Sequence, residues 1–424
     1  MAANAKLTNW AGNVEFTAER LHRPASVAEL RAIVTVAAAG NGRLRALGTG
    51  HSFNRVADTP GALITLEKLP RLVEIDPVGR TARVGAGLTL GELCTALRQH
   101  GLALPNLPST PHFTIAGACA TGTHGSGNSN GTLASFVSSI ELITADGTPT
   151  TLSRGSEGFE GAVTSLGSLG IATALTLDLR PAFEVEQYVY EGLAWPSLIE
   201  HFDDIFAAAY SVSAFTDWSG AVRLWVKRRV GDPLPDLAPT GARPAEGQRH
   251  PIDGMPLANA TEQLGVPGPW DERLPHFRAG FVPSVGAELQ SEYFVAAADA
   301  PEAVKALREL QPWISPVLLV SEMRTIAADT CWLSPSNGRA SVAFHFTWIA
   351  DPEAVAPVLV RIEEALAPFD ARPHWGKLSS TAPETLSASY KHWESFRGLL
   401  SRFDPAGTFR NPLIDHYFPR ETAG

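Results

Sequence analysis

Cysteine is scarce in this sequence. The 424 residues contain only Cys94, Cys119 and Cys331, an odd number with no C-x-x-C pair. Disulfide frameworks and cysteine-based metal sites need paired or closely spaced cysteines. The composition therefore argues against both, and we expect three buried thiols that act as small apolar side chains. No metal site is expected.

Long runs of like charge and of apolar residues are also absent. The formal net charge is −10, and no basic run of five or more residues occurs, so nucleic-acid binding is not expected. No stretch approaches the roughly 20 apolar residues of a membrane span. The first residues, MAANAKLTNWAG, lack the apolar core of a signal peptide. These features predict a cytoplasmic protein with no membrane partner.

Helices and strands alternate along the first 180 residues. Ser26 and Glu29 have the S-x-x-E spacing of a capping box at the start of an apolar helical stripe, and Thr89 and Glu92 are spaced as the T-x-x-E form of the box. Strands are predicted at 44–47, 62–66, 81–84, 137–144, 150–152 and 171–179. We interpret this part as one α/β unit.

The composition changes after residue 180. Prolines and glycines are frequent between residues 232 and 269, which predicts long loops. Beyond residue 288, strand and helix patterns alternate at 291–297, 301–310, 317–326, 341–349 and 352–366. This α+β pattern predicts a second domain, as the chain length also does.

Two segments are rich in Gly, Ser, Thr and His: GTGHSFN at 48–54 and AGACATGTHGSG at 116–127. Glycines permit positive φ and close backbone approach, so that successive N–H groups bind phosphate oxygens. Flexible surface loops are the alternative, but they explain one such segment more easily than two. A Rossmann site is disfavoured, because in GAGLTLG at 85–91 the third glycine comes one position late.

Polar side chains interrupt two apolar strands of the second half. Glu322 and Arg324 are two residues apart, as are His345 and Thr347, so each pair shares one strand face. A turn region at 334–338 allows the two strands to pair. Burying such a face is costly unless its groups have partners. The pattern therefore indicates either a binding site or an exposed face with a surface Glu–Arg pair.

The segments LGTGHSF (47–53), AGACATGTHG (116–125) and LGSLGI (166–171) resemble the vanillyl-alcohol-oxidase-type FAD family. Similarity extends through LALPN (102–106), residues 322–325, PHWGK (373–377) and DPAG (404–407), and is greatest to the members that oxidise alditols. The resemblance implies an α+β class, a two-domain FAD-binding fold with an α+β substrate (cap) domain. It places the FAD-binding domain at 1–180, the substrate-binding domain at 181–378 and a C-terminal return to the FAD-binding domain at 379–424.

FAD is the cofactor that this resemblance implies, bound covalently through His51 to the 8α-methyl carbon of the flavin. The further FAD contacts that it implies are Ala46, Leu47, Gly48, Thr49, Gly50, Ser52, Ser109, Thr114, Gly117, Thr121, Gly122, Thr123, His124, Ile171, Thr347 and His374.

The resemblance also implies the reaction: the terminal hydroxyl of an alditol such as xylitol or sorbitol is oxidised to the aldose. Hydride passes to flavin N5 and O₂ becomes H₂O₂. The implied substrate-binding residues are Ser109, Glu322, Arg324, Thr347 and Lys377, and the implied catalytic residues are Arg324, Lys377 and His345. Positive charge on Arg324 and Lys377 favours a developing alkoxide, and His345 is placed to relay a proton. No single general base is assigned, and a monomer is expected.

One position departs from the alditol-oxidising pattern. Pro108 stands where those proteins have alanine, at a position that affects access of O₂ to the flavin. Glycine or proline is common there among oxidases of the family, which favours O₂ as the acceptor. The alternatives are an aldonolactone oxidase or dehydrogenase of the same family, and a non-catalytic flavin- or polyol-binding protein.

The covalent linkage is directly testable. We predict that FAD stays with the polypeptide after acid or detergent denaturation, and that the fluorescent band on a denaturing gel disappears in His51→Ala. Release of yellow flavin from the denatured wild-type protein contradicts the assignment of His51.

Overall fold

A computed structural model describes residues 7–281 and 287–420. Within these residues, a sheet of five strands and a sheet of nine strands carry the two main hydrophobic cores. The mixture of helices and antiparallel sheets is the α+β class predicted from the sequence. Each sheet is described below by its strands in spatial order.

The five-stranded sheet lies in the first half of the chain, and all its neighbouring strands are antiparallel. Its order is Val73–Asp76, Thr81–Gly85, Ile171–Asp178, Val137–Ile143 and Pro149–Ser153. A Rossmann site requires a parallel sheet, so the antiparallel pairing excludes that alternative. A small parallel sheet (Arg20–His22, Ala62–Ile64, Leu44–Ala46) and an antiparallel pair (Leu102–Ala103, Arg180–Pro181) accompany it.

Helices begin at the predicted caps. Thr89 and Glu92 form the complete capping box, whereas the box at Ser26 is only half formed. Its hydroxyl accepts from the Glu29 N–H, but the Glu29 carboxylate reaches back to the N–H of Ala25 instead. The α- and 3₁₀-helices of this part are Val27–Ala39, Arg55–Ala57, Leu90–Gln99, Ile115–Ala120, Leu133–Phe136 and Phe159–Val163.

The C-terminal helices pack into the core of the first half of the chain. They are Pro383–Ser389, Trp393–Phe403 and Pro412–Tyr417, and their buried side chains include Leu386, Phe396 and Ile414. The Asn411 side-chain amide donates to three carbonyl groups at residues 55, 56 and 58. The last described segment is thus held by both apolar packing and hydrogen bonds.

The nine-stranded sheet is antiparallel throughout. Its order is Arg243–Pro244, Glu184–Leu193, Val222–Arg229, Ser211–Thr216, Leu318–Ile326, Ser341–Ile349, Glu288–Ala296 and Arg372–Pro373, and Gly268–Pro269 also pairs with Glu184–Leu193. The predicted pairing of the two polar-faced strands is confirmed, with Glu322 opposite His345. The strand predicted at 291–297 begins three residues earlier, because its first polar residues continue the same alternation.

Alternation gives this sheet two different faces. Met323, Phe344 and Phe346 belong to an apolar core under helices Trp195–Glu200, Phe202–Ala207, Ala300–Glu309, Gln311–Ile314 and Pro352–Leu366. Glu322 and Arg324 point to the opposite side and are nevertheless buried. The exposed-face interpretation of the Glu–Arg pair is therefore wrong.

Irregular structure dominates between residues 230 and 274, as predicted. The short elements there include Ala238–Thr240, Leu257–Asn259 and Trp270–Arg273, and the other 3₁₀ turns of the second half are Ala297–Asp299, Ser315–Val317 and Ala367–Phe369. The three cysteines are buried free thiols, as expected. Within the described ranges, no helix has the length and apolar character needed to cross a membrane; the cytoplasmic location stays a prediction.

The packing of the C-terminal helices predicts a large mutational effect. Phe396 is fully buried and contacts the Phe418 ring at 5.0 Å between centroids. Truncating a buried Phe to Ala costs about 3–5 kcal/mol, so Phe396→Ala should lower the urea midpoint of unfolding strongly. Val36→Ala, at a position 74% exposed, is the control and should change stability by less than about 0.5 kcal/mol. Equal midpoints in both variants would mean that the C-terminal segment does not stabilise this core.

Candidate active site

A cavity of about 490 Å³ lies where the glycine-rich loops meet the polar face of the nine-stranded sheet. Most of the residues implied by the resemblance line it: Ala46, Leu47, Gly48, Thr49, Gly50, His51, Ser52, Ser109, Thr114, Gly117, Thr121, Thr123, His124, Glu322, Arg324, His345, Thr347, His374 and Lys377. Two do not. Gly122 lies beside Pro335 with φ +75°, and Ile171 is fully buried in the core.

The first glycine loop offers free backbone donors. Among the described residues, no protein acceptor bonds to the backbone N–H groups of residues 48–52. Gly50 has φ +72°, a conformation that side chains other than glycine rarely adopt. A Cβ at Gly48 would lie 2.3 Å from the Thr114 hydroxyl oxygen, so the two loops are in direct contact. Consecutive unpaired N–H groups in a cavity suit the phosphate oxygens of FAD.

His51 is held between aromatic rings. Its imidazole stacks on Trp10 at 5.1 Å and meets the edge of Phe113 at 4.9 Å, while Nδ1 lies 3.1 Å from the Thr49 hydroxyl. Burial, reinforced by the positive potential of His112 and Lys377, lowers the pKa of His51 to about 4. The ring is therefore neutral at pH 7 and keeps a nucleophilic nitrogen lone pair.

Arg324 lies between two buried carboxylates. Nη2 is 2.6 Å from Glu292 and Nε is 3.7 Å from Glu322. Burial alone raises the pKa of Glu292, but Arg324 and His124 outweigh it and hold that pKa well below its usual range. Nη1 donates to the Ser109 hydroxyl at 3.4 Å, whereas the buried Nε has no hydrogen-bond partner among the described residues. The guanidinium, which lines the cavity, is thus held in place by both carboxylates and by Ser109.

Lys377 and His345 share one acceptor. Both Lys377 Nζ and His345 Nε2 bond to the Gln290 side-chain oxygen, the latter at 3.1 Å, and Nζ also lies 5.0 Å from the Phe53 ring centroid. Burial lowers the pKa of Lys377 to about 8 and that of His345 to about 3. At pH 7 the lysine is therefore mainly charged and the histidine is neutral.

His374 and His124 occupy the other side of the cavity. Nδ1 of His374 accepts from the Gly376 N–H at 3.0 Å, and burial lowers the pKa of this histidine to about 3. His124 lies 3.2 Å from Glu292. Glu292 thus contacts a residue of the second glycine loop and a residue of the sheet, and it connects the two halves of the site.

Several lining residues are absent from the sequence-based set: Glu288, Gln290, Glu292 and His276. The first three alternate along strand Glu288–Ala296, with the same period of two that identified Glu322 and Arg324, so this signal was available. His276 lies in a loop with no periodicity. It is found only because the fold brings its Nε2 to 2.9 Å from Glu322.

Comparisons with known proteins agree with this geometry. Residues 18–153 match the model of the FAD binding domain, and residues 288–417 match the model of D-arabinono-1,4-lactone oxidase. The chain is 50% identical to the alditol oxidase of Streptomyces sp. over 412 residues, covering 96% of this chain and 98% of that protein. The chain belongs to the alditol oxidase family. It is therefore an FAD-dependent oxidoreductase, as the sequence predicted.

More distant relatives of the alditol oxidase family also align over nearly the whole chain. The L-gulono-1,4-lactone dehydrogenase of Mycobacterium tuberculosis is 27% identical, covering 95% of this chain and 97% of that protein. Cholesterol oxidase from B. sterolicum superimposes with a TM-score of 0.81 at 15% identity, covering 98% of this chain and 96% of that one. Xylooligosaccharide oxidase from Myceliophthora thermophila gives 0.77 at 15%, covering 98% and 94%. These structures confirm the vanillyl-alcohol-oxidase-type fold.

The buried Glu292–Arg324 pair predicts a pH-dependent stability. Removing one partner of a buried pair costs about 3–5 kcal/mol, so Glu292→Gln should lower the free energy of unfolding by that amount at pH 7. A carboxyl whose folded pKa is depressed stabilises the fold above its unfolded pKa of about 4.3, and loses this contribution as the pH falls below that value. Urea unfolding of both proteins at several pH values should therefore show that the difference in their free energies of unfolding becomes smaller below about pH 4.

The exposed pair of Glu302 and Lys305, 2.6 Å apart, supplies the matched control. Glu302→Gln should cost less than about 1 kcal/mol, because solvent screens exposed pairs. If Glu292→Gln lowers the free energy of unfolding by as little as this, or by an amount that does not vary with pH, the Glu292–Arg324 pair does not stabilise the fold as predicted.

Proposed function

We propose that this protein oxidises the terminal hydroxyl of alditols of the xylitol and sorbitol type to the aldose, with FAD bound covalently through His51 and O₂ reduced to H₂O₂. The observation that carries the proposal is the polar face formed by the buried Glu322 and Arg324 and the half-buried His345 and Lys377, on the same cavity as the His51 loop. The 50% identity to an alditol oxidase over nearly the whole chain supports the substrate class.

The proposed FAD-binding and substrate-binding parts correspond broadly to the two main hydrophobic cores. Described side chains of residues 1–180 and 379–424 form most of one apolar core, which Trp270, Leu333 and Trp375 also join, and this part would hold FAD through the backbone of residues 46–52 and the loop around Thr121. Residues 181–378 supply the polar sheet face. When bound, FAD supplies the acceptor for a hydride from the substrate carbon and the route for its electrons to O₂. Pro108 lines the same cavity, and we propose that it affects the access of O₂ to the flavin.

Substrate recognition rests on donors and acceptors, because an alditol carries hydroxyl groups and no charge. The Glu322 carboxylate accepts from hydroxyl groups, and Ser109 and Thr347 add hydroxyl partners on the same cavity. A site that pairs each hydroxyl rejects analogues that lack it, since its buried polar groups are then left unpaired. We assign Glu322 to binding hydroxyls other than the reacting one.

Arg324, Lys377 and His345 are the residues that we assign to the removal of the proton from the reacting hydroxyl. The Arg324 guanidinium and Lys377, which is mainly charged at pH 7, both line the cavity and would stabilise negative charge that develops on the reacting oxygen. His345 donates through Nε2 to the amide oxygen of Gln290, which leaves Nδ1 with a lone pair. That lone pair and the neutral form of Lys377 are the proton acceptors that we assign to the reaction.

A peroxidase-coupled screen of xylitol, sorbitol, aldoses and aldonolactones tests the proposal. Steady H₂O₂ release with the alditols is expected, with much less from the lactones. A lactone enzyme is the second candidate, because residues 288–417 match the D-arabinono-1,4-lactone oxidase model. Turnover of lactones alone would favour it. Turnover of alditols with a dye but without H₂O₂ would make the protein a dehydrogenase.

Two substitutions separate binding from chemistry. Glu322 holds spectator hydroxyls in the ground and transition states alike, so Glu322→Gln should mainly raise KM. Lys377→Met removes charge that is needed as the alkoxide forms, and should lower the anaerobic flavin-reduction rate at saturating xylitol by about 10²-fold. Stopped-flow absorbance measures both, and FAD should remain attached in each variant. An unchanged reduction rate in Lys377→Met removes that residue from the mechanism.

A further inference from the structure

Lys227 is a buried cation outside the proposed mechanism. It lies on strand Val222–Arg229 and is only 1% exposed. It follows the core residue Val226 and therefore points to the opposite face of the sheet. Its Nζ donates to the Leu274 carbonyl and lies 3.2 Å from Nδ1 of His276. Within the part of the chain that the structure describes, no carboxylate forms an ion pair with it. Burying an ammonium group with so few partners is costly, which calls for a specific role.

His276 connects this lysine to the substrate site. Its backbone N–H donates to the Ser109 carbonyl at 3.1 Å, its ring meets the edge of Phe215 at 5.1 Å, and its Nε2 lies 2.9 Å from Oε1 of Glu322. Burial, together with Lys227, lowers the pKa of His276 to about 4. The imidazole is thus neutral near pH 7 and carries a single N–H.

The partners decide which nitrogen carries that hydrogen. The Glu322 carboxylate only accepts, so Nε2 of His276 must hold the hydrogen, and Nδ1 is left as an acceptor for Lys227 Nζ. Burial lowers the pKa of Lys227 to about 7, so at pH 6 its Nζ is mainly an ammonium group that only donates. The Nε2–H then donates to the Glu322 carboxylate. In the opposite tautomer, an imidazole lone pair would face a carboxylate oxygen, which is repulsive.

We propose that Lys227 is a positioning residue for the substrate site: its hydrogen bond to Nδ1 fixes the orientation of the His276 ring and thereby that of the Glu322 carboxylate. Glu322 then has one oxygen bonded to His276 and the other 3.7 Å from Arg324, with its remaining lone pairs available to hydroxyl groups. Residues of three neighbouring strands, Val222–Arg229, Ser211–Thr216 and Leu318–Ile326, and of the loop that carries His276 build this connection. The proposal rests on the proposed role of Glu322 in binding the substrate.

The first test is spectroscopic and needs no substrate. Holoenzyme with ¹⁵N-labelled histidine is compared at pH 6 with Lys227→Met, and the signals of His276 are assigned by their loss in His276→Phe. The wild-type signals should be those of a neutral Nε2–H tautomer whose Nδ1 accepts a hydrogen bond, and in Lys227→Met the Nδ1 signal should move to the position of an imidazole nitrogen without a hydrogen bond. A different tautomer in the wild type, or an unchanged Nδ1 signal in the variant, overturns the proposal. A wild-type Nδ1 signal without a hydrogen bond overturns it even if Lys227→Met does not fold.

The second test is kinetic. Lys227→Met should raise KM for xylitol by about 10-fold, the cost of one lost charge-assisted hydrogen bond, and change the anaerobic flavin-reduction rate at saturation by less than about threefold. Since Lys227 acts through His276, adding Lys227→Met to His276→Phe should raise KM no further. Lys227→Arg, which keeps a donor-only cation, should keep the wild-type Nδ1 signal and most of the affinity. Lys305→Met is the exposed control.

Outcomes of the kinetic test also separate this proposal from the proposed function. KM effects that add in the double variant, or an equal loss of reduction rate and affinity, overturn the role of Lys227. Failure of the wild-type enzyme to turn over any alditol overturns the proposed function instead, and leaves the tautomer measurement as the test of the Lys227–His276 contact.

Discussion

The organisation of this protein depends on one constraint: the nine-stranded sheet buries both of its faces, and one of them is charged. The apolar face packs on helices, which needs only matching volume. The other face carries Glu292, Glu322 and Arg324, and buried charges are tolerated only when they are paired. Arg324 between the two carboxylates meets this requirement, and Gln290 pairs in turn with Lys377 and His345.

The same pairing prepares the face for polar ligands. Glu292 and Glu322 hold the Arg324 guanidinium from two sides, and its Nη1 reaches the Ser109 hydroxyl on the cavity wall. Gln290 holds Lys377 and His345 together in the same way. A site whose charges are already placed by the protein needs little reorganisation when a ligand binds or when charge develops.

The glycine-rich loops meet this face from the other core. The unpaired N–H groups of the first loop and the neutral His51 imidazole suit a phosphate-bearing flavin, and membership of the alditol oxidase family accounts for the composition of both loops. Glu292 ties the two sides together through His124 and Arg324. The cofactor loops and the polar sheet face are thus parts of one connected arrangement of buried charge.

The sequence by itself determined the local features of this protein. Capping residues located the helices, a period of two located the polar strands, and the motifs around His51 and Lys377 identified the family, because each of these signals lies within a short segment. Only the tertiary structure decided which residues meet across the chain. His276 and Lys227 have no local pattern, and their roles come from strands and a loop that pair far apart in sequence. The half-formed cap at Ser26 and the positions of Gly122 and Ile171 away from the cavity were likewise decided by packing, which a motif match does not encode.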